Sequence, residues 1–421
     1  MFSIGGTLRY RYSTGENGKL IRKAIVYTQD EHQIKLSDVD PQAAYITQRL
    51  QANGFESYIV GGAVRDLILG KKPKDFDIVS AANPARIKRI FRNARIIGRR
   101  FRLVHVYSGQ KIYEVSTFRS IIDGPTSNVF GTIEEDVQRR DFTLNALFYD
   151  PQKQVVVDYV GGMKDIWNRR IRPIIALKEI FTDDPVRMIR AVKYAASSGC
   201  SIPWKLRRQI RRDLELLGGV SPSRLTEEIF KIIHSPHAHA IADGLDKLGL
   251  YRFLQPRAAE LFKTRPRFRE RYLESLRTPL PEEGERVPGM AMRALIRDYL
   301  EDEADWDGKK QQEEHDQGGE DPLNSGASPL SVAECYKRVF IQARKFLLPM
   351  NPPRVELEGA LKLLFAEHGI TIKRTRMGER RPRKAPDGPK KAHPAPLQEN
   401  PEEKVKKRSR RRKPKKPSPA G

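Results

Sequence analysis

The chain holds 421 residues, with 78 Lys and Arg against 53 Asp and Glu, for a formal charge of +25. At 48.2 kDa it is long enough to bury a large core in two or three units, and its charge points to a polyanionic partner, because basic side chains release counterions when they neutralise phosphates. Cys200 and Cys335 are too few for a disulfide framework or a zinc site, no apolar run approaches the roughly 20 residues of a membrane span, and the first residues lack a signal peptide's order of charge, so a cytoplasmic protein is expected.

Residues 1–40 are polar and weakly patterned, and are expected to form an N-terminal extension on the unit that follows. Ala43, Ile46, Leu50 and Ala52 recur at helical spacing. Strands are predicted at Ser57–Val60, Asp75–Val79, Ala94–Ile97, Leu103–Tyr107 and Ile112–Phe118, with a helix opened by Asn83-Pro84 between the second and third. Gly161-Gly162 marks a turn and Pro173 closes this α/β unit, 41–175. Beyond about 180 the periodicity is helical. Met188, Ile189, Val192, Ala195 and Ala196 form one apolar face, and Leu225, Ile229, Phe230, Ile232 and Ile233 form another. A neck over 176–255 and a body over 256–372 are expected, with an acidic, Gly/Ser-rich flexible insertion at 301–328. Residues 373–421 carry 19 Lys and Arg against 5 Asp and Glu, so +14 of the charge lies in a Pro-rich tail predicted to be disordered.

The most informative stretch is 58–79. An apolar strand runs into Gly61-Gly62, a helix follows, and the next strand opens with Asp75-Phe76-Asp77. Alternation along that strand predicts Asp75 and Asp77 on one face. Two carboxylates that close repel unless a cation lies between them, and hard oxygen ligands select Mg²⁺. Gly61 and Gly62 have no side chains to keep a triphosphate off the backbone, and the helix after them presents amides to anions. Metal carboxylates beside a phosphate cradle predict nucleotidyl transfer.

Further along, Glu114 lies on a strand able to neighbour Asp75–Val79, with an ordinary cross-strand charge pair as its alternative role. Arg65 suits either a phosphate or a pairing near Asp66. The segment 139–146 joins two arginines, an acid and an amide. Its Arg140 fork suits a phosphate, and Asp141 and Asn145 suit ribose hydroxyls. In Asp183-Asp184-Pro185-Val186-Arg187 the spacing predicts a helix start with Asp184 and Arg187 on one face, presenting an acceptor beside a donor. His234, His237 and His239 show no conventional ligand spacing and are expected at the surface.

Taken together, Gly-Gly-x-Val-Arg-Asp at 61–66, Asp-x-Asp at 75–77, Arg-Arg-Asp-Phe-Thr-x-Asn-Ala at 139–146 and acidic-Asp-Pro-x-Arg at 183–187 resemble the nucleotidyltransferase superfamily that includes DNA polymerase beta. Within it, the chain resembles the branch of bacterial poly(A) polymerases and CCA-adding enzymes. The resemblance implies an α+β fold: a nucleotidyltransferase head with a mixed sheet, then an all-α neck and body. It implies two Mg²⁺ on Asp75 and Asp77, with Glu114 assisting the ion that activates an RNA 3′-hydroxyl. It implies ATP on Gly61, Gly62, Arg65, Arg140, Asp141 and Asn145, and base reading by Asp184 with Arg187. Asp183 stands where the family usually has Glu. Arg92, Arg95, Arg99, Arg100 and Arg102, the run Lys71-Lys72-Pro73-Lys74 and the basic tail resemble the poly(A) polymerase members more than the CCA-adding ones. The expected activity is therefore template-independent addition of AMP to RNA 3′ ends by a monomer, as a tag for decay. A CCA-adding tRNA nucleotidyltransferase is the alternative, and an inactive RNA-binding protein the third. The tail is expected to hold RNA, to solubilise, or to meet RNA-degradation machinery; a membrane-surface role stays open.

Overall fold

Nine strands order themselves into one mixed sheet, and the way they pair decides where the functional side chains meet. The computed structural model describes residues 9–14, 19–98, 103–120, 129–278, 280–281, 285–304, 306, 331–370 and 372. The strands are β1 (Arg9–Thr14), β2 (Leu20–Tyr27), β3 (Ser57–Val60), β4 (Asp77–Ser80), β5 (Ala94–Ile97), β6 (Leu103–Ser108), β7 (Lys111–Thr117), β8 (Leu147–Asp150) and β9 (Val155–Asp158). Their spatial order is β1-β2-β9-β8-β3-β4-β7-β6-β5. Every neighbouring pair is antiparallel except β4 with β7, which is parallel.

The central strands bury one face against the larger core and the other against a smaller cluster. Ile59, Ile78, Val104 and Val115 join the larger cluster, which continues into the helical region as far as Phe365. Tyr58, Val60, Val79, Phe148 and Val157 turn the opposite way and pack with Ile133 and Val137 of the helix Ile133–Arg139. The central strands are apolar on both faces, as β3 is with all four residues buried. The helix Pro84–Ile90 opens as expected, with the Asn83 side chain accepting from the Arg86 amide and Pro84 in the first turn.

Three expectations change. Residues 1–40 are not merely laid on the head, since β2 pairs with β9 through Ile25↔Asp158 and Tyr27↔Val156 and so extends the sheet. The strand expected from Asp75 begins at Asp77, leaving Asp75 and Phe76 in the approach to it. Asp183–Arg187 does not form one helix start. A short helix ends at Asp183, Asp184 is extended (φ −149, ψ 101), and the long helix begins at Arg187. Pro185 is the reason, because its ring crowds the preceding residue out of the helical region.

Helices then follow one another: Arg187–Ser198, Trp204–Asp213, Pro222–Ile233, Ala238–Lys247, Pro256–Thr264, Pro266–Ser275, Met290–Glu303, Val332–Leu347 and Arg354–Glu367. Met188, Ile189, Val192, Leu225, Ile229, Ile232 and Ile233 are buried, as their spacing predicts. A capping box fixes the start of Val332–Leu347, where Ser331 Oγ accepts from the Glu334 amide and Glu334 reaches back to the Ser331 amide. Residues to Ile372 form one compact unit. The acidic segment expected from 301 contributes Glu301, Asp302 and Glu303 to a helix; most of it, like the tail from 373, lies outside the described residues.

Candidate active site

Strand register brings Asp77 and Glu114 to one place, and Asp75 lies near enough to add its charge. Ile78 pairs with Val115 in the parallel ladder, so Asp77 and Glu114, one residue before each, fall side by side on the opposite face. Val60 pairs with Asp77 on the other side, which sets the turn after β3 against the same carboxylate. Gly61 makes that turn at φ +71, a left-handed conformation that favours glycine. A β-carbon at Gly61 would stand 3.9 Å from Asp77 Oδ2, so bare backbone faces the acid. Asp77 has an exposed side chain, yet enough protein crowds its carboxylate to push its pKa up to about 6, with the charges of Glu114 and Asp75 adding to the rise and Arg140 opposing it. Glu114 is 54% exposed, and its Oε1 lies 3.5 Å from His105 Nε2.

These three acids repel one another with too little cation between them, which is the electrostatic condition for a divalent ion. Among the described residues no three His, Cys, Asp or Glu side chains are drawn close enough to enclose a metal unaided.

The segment 139–146 brings the Arg140 charge within reach of Asp77, and Arg140 is tied within it. Its Nε and Nη2 donate to Asp136 Oδ2 at 3.0 and 2.9 Å, and Nη1 donates to the Asn145 carbonyl at 3.1 Å. The guanidinium keeps only a 20% exposed side chain. Asn145 is buried and bonded at both ends of its amide: its nitrogen donates to Asp141 Oδ1 at 3.2 Å, and its side-chain oxygen accepts from Arg65 Nη1 at 2.9 Å. Arg65 is buried too, donating through Nε to Asp66 Oδ1 at 2.8 Å and lying over the Tyr194 ring at 5.5 Å. In this structure Arg65 makes the internal pairing with Asp66 and Asn145. Gly62 stands one position into the helix Gly62–Ile68, its absent β-carbon 3.6 Å from Arg65 Nη2.

The expected base-reading pair is not brought together. Arg187 is buried and bonds to Asp183, four residues earlier, while the Asp184 carboxylate accepts two hydrogen bonds from Arg224 Nη2 at 3.1 and 2.9 Å, with Arg190 3.9 Å away. Arg190 also reaches Glu228 Oε1 at 3.2 Å, and Lys193 reaches Glu228 Oε2 at 2.7 Å. The cations Lys193 and Arg190 outweigh burial and hold the Glu228 carboxyl at about 2. Asp136, His105, Arg190, Arg224 and Glu228 were not singled out from the sequence. The contacts of Lys193 and Arg190 with Glu228 and of Arg224 with Asp184 span 35, 38 and 40 residues, and no local spacing signals them.

Behind the site, Asp165 is fully buried and accepts from Thr143, Arg170 and Arg172 at 2.6–2.7 Å. It fixes the turn Thr143–Asn145 against the helix Gly162–Trp167. A β-carbon at Gly162 would lie 2.3 Å from the Thr143 carbonyl oxygen, so only glycine permits this contact. The His234 ring meets the Phe230 carbonyl and the His239 ring meets Arg277, while at 237 it is the backbone amide that donates to the Ser235 hydroxyl.

Residues 57–172 match the family model described as the Poly A polymerase head domain, and 200–262 match a probable RNA and SrmB-binding site of polymerase A. The chain is 41% identical over 256 residues to poly(A) polymerase I of Escherichia coli, covering 57% of this chain and 55% of that protein. It is 34% identical over 228 residues to the CCA-adding enzyme of Geobacillus kaustophilus, covering 52% and 56%. The chain thus spans about half the length of the curated relatives it matches. The crystal structure of the Bacillus stearothermophilus CCA-adding enzyme in complex with CTP superposes with a TM-score of 0.51 at 26% identity, covering 78% of this chain and 83% of that one.

Proposed function

Because the chain belongs to the family of poly(A) polymerases and CCA-adding enzymes, we propose that it is a polynucleotide adenylyltransferase. It would join AMP from ATP to RNA 3′ ends without a template and release pyrophosphate. The observation that carries this reading is the acidic row Asp75, Asp77 and Glu114 beside the bare Gly61 turn.

Asp75 and Asp77 would hold two Mg²⁺, Glu114 assisting, and the bound ions supply a lowered pKa for the attacking hydroxyl and neutralise triphosphate charge. The chain's own groups do the rest. Gly61 and Gly62 let the triphosphate approach the backbone beside Asp77. Arg140, whose charge already reaches Asp77, offers its exposed edge to a phosphate oxygen. Asp141 faces the ribose with its remaining acceptor capacity, and Asn145, held by Arg65 and Arg140, keeps that carboxylate in place. Asp184, held by Arg224, presents an acceptor suited to the exocyclic amine of adenine, and Arg187 anchors its turn through Asp183.

The helical region supports RNA. The helix Trp204–Asp213 buries Leu206 and Ile210 and exposes Lys205, Arg207, Arg208, Arg211 and Arg212, and Trp204 at its start is 65% exposed. Exposed cations with an aromatic platform suit a single strand. The chain is proposed to act as a monomer in the cytoplasm. The tail is proposed to hold RNA or to meet RNA-degradation machinery; among the described residues no helix is long and apolar enough to cross a membrane. The CTP complex of the similar fold keeps CCA addition as a second reading, and the higher identity to a poly(A) polymerase favours the first. Incubating the protein with ATP, Mg²⁺ and labelled RNA tests the proposal: the wild type should lengthen the RNA and Asp77→Ala should not. Equal extension by both would remove Asp77 from the chemistry.

A further inference from the structure

Beyond Glu114 the sheet continues for two more strands, and one of their faces is open. Arg95 pairs with His105 and His105 with Glu114, so these side chains form a row running outward from the catalytic acids. The next row on that face is Tyr107 opposite Ile112. The other face of β5, β6 and β7 is the core side, where Ala94, Val104, Val106 and Tyr113 are buried. On the open face Ile112 is 52% exposed, Arg95 is exposed and Tyr107 is half-buried. The Arg95 guanidinium lies 5.8 Å from the Tyr107 ring centre, and His105 meets the same ring edge-on at 6.3 Å. Among the described residues Arg95 has no carboxylate partner.

We propose that this face seats the 3′-terminal nucleotide of the RNA, with its base against Tyr107 and Ile112 and its phosphate at Arg95. The inference rests on the nucleotidyl-transfer reading above. In an in-line displacement the attacking and leaving oxygens lie on opposite sides of the phosphorus. The triphosphate cradle at Gly61 is on the β3 side of Asp77, so the leaving pyrophosphate belongs there and the attacking 3′-hydroxyl arrives from the β7 side. The surface on that side is this row. Its chemistry matches a terminal nucleotide: an aromatic face for stacking, an uncompensated guanidinium for the phosphate, and Glu114 next to the hydroxyl. His105, 3.5 Å from Glu114, is a positioning residue that holds the acid toward the hydroxyl.

Tyr107→Ala and Arg95→Ala test it on the full chain, with Tyr107→Phe as the conservative variant. Binding of a 3′-deoxy hexanucleotide, which cannot be extended, should weaken about tenfold in both alanine variants and stay near wild type in Tyr107→Phe, and the KM for RNA should rise by the same factor. The KM for ATP and kcat at saturating RNA should move less than about twofold, which separates a lost RNA contact from a damaged active site. A 4-thiouridine at the RNA 3′ end should cross-link to the peptide carrying Tyr107. Hexanucleotide affinities within about twofold of wild type in both alanine variants, or a cross-link confined to another element, would overturn the proposal. A wild-type protein that extends no RNA would instead sink the transferase reading, and the hexanucleotide affinities would still decide where RNA lies.

Discussion

Asp77→Asn should make the metal-free protein more stable and inactive. The Asp77 carboxyl is pushed from 3.8 to about 6 by crowding and by Glu114 and Asp75. A group whose folded pKa is raised costs nothing below its unfolded value; the cost grows as pH rises through the interval and is complete above about 6. At 1.36 kcal/mol per pKa unit, the rise of roughly two units corresponds to about 3 kcal/mol at most. Because the side chain is exposed and solvent screens it, an effect of about 1 kcal/mol is expected. Urea unfolding in a chelator at pH 8 should therefore give a higher midpoint for Asp77→Asn than for wild type, with the two converging near pH 4. Adding Mg²⁺ and ATP should reverse the order, since only the wild type gains binding energy. A variant no more stable than wild type at pH 8 without metal would refute the claim that these carboxylates are held in mutual repulsion.

Other perturbations reach different parts of the site. Glu228→Gln leaves Lys193 and Arg190 without the buried carboxylate they share, and should cost about 3 kcal/mol by urea unfolding at pH 7; the Glu228 carboxyl is held at about 2, so its contribution is complete above about 4.5 and fades as pH falls toward 2. Gly162→Ala drives a methyl into the Thr143 carbonyl and should destabilise by about 1–3 kcal/mol, with a raised KM for ATP as the turn below Arg140 shifts. Arg224→Ala frees the Asp184 carboxylate from its two hydrogen bonds and should lower the preference for ATP over CTP in competition, leaving the KM for RNA unchanged. Replacing Arg208, Arg211 and Arg212 together by Ala should weaken RNA binding for all sequences and flatten its log-salt dependence by about two units.

The geometry around Gly61 and Asp77 was legible because its signals are local. The run Tyr58-Ile59-Val60 before two glycines fixes β3 and its turn, and Asp77 stands at a strand start whatever the exact register. The strand start was placed two positions early, at Asp75, because alternation alone cannot say where pairing begins. β1 and β2 were missed because an edge strand such as Arg9–Thr14 reads as polar chain, and only pairing with β9 makes β2 a strand. The fate of Asp184 turned on Pro185, whose restriction of the preceding residue was in the sequence but was outweighed by helical spacing. Its true partner, Arg224, lies 40 residues away, a distance at which no periodicity speaks. The same holds for His105, which register, not spacing, sets beside Glu114.

The measurement that bears most directly on the central claim is extension of two labelled substrates, a generic single-stranded RNA and a tRNA lacking its 3′ CCA, with Mg²⁺ and each nucleoside triphosphate in turn. The account predicts long ladders with ATP alone on the generic RNA. Extension confined to the tRNA, stopping after three nucleotides and requiring CTP, would contradict it.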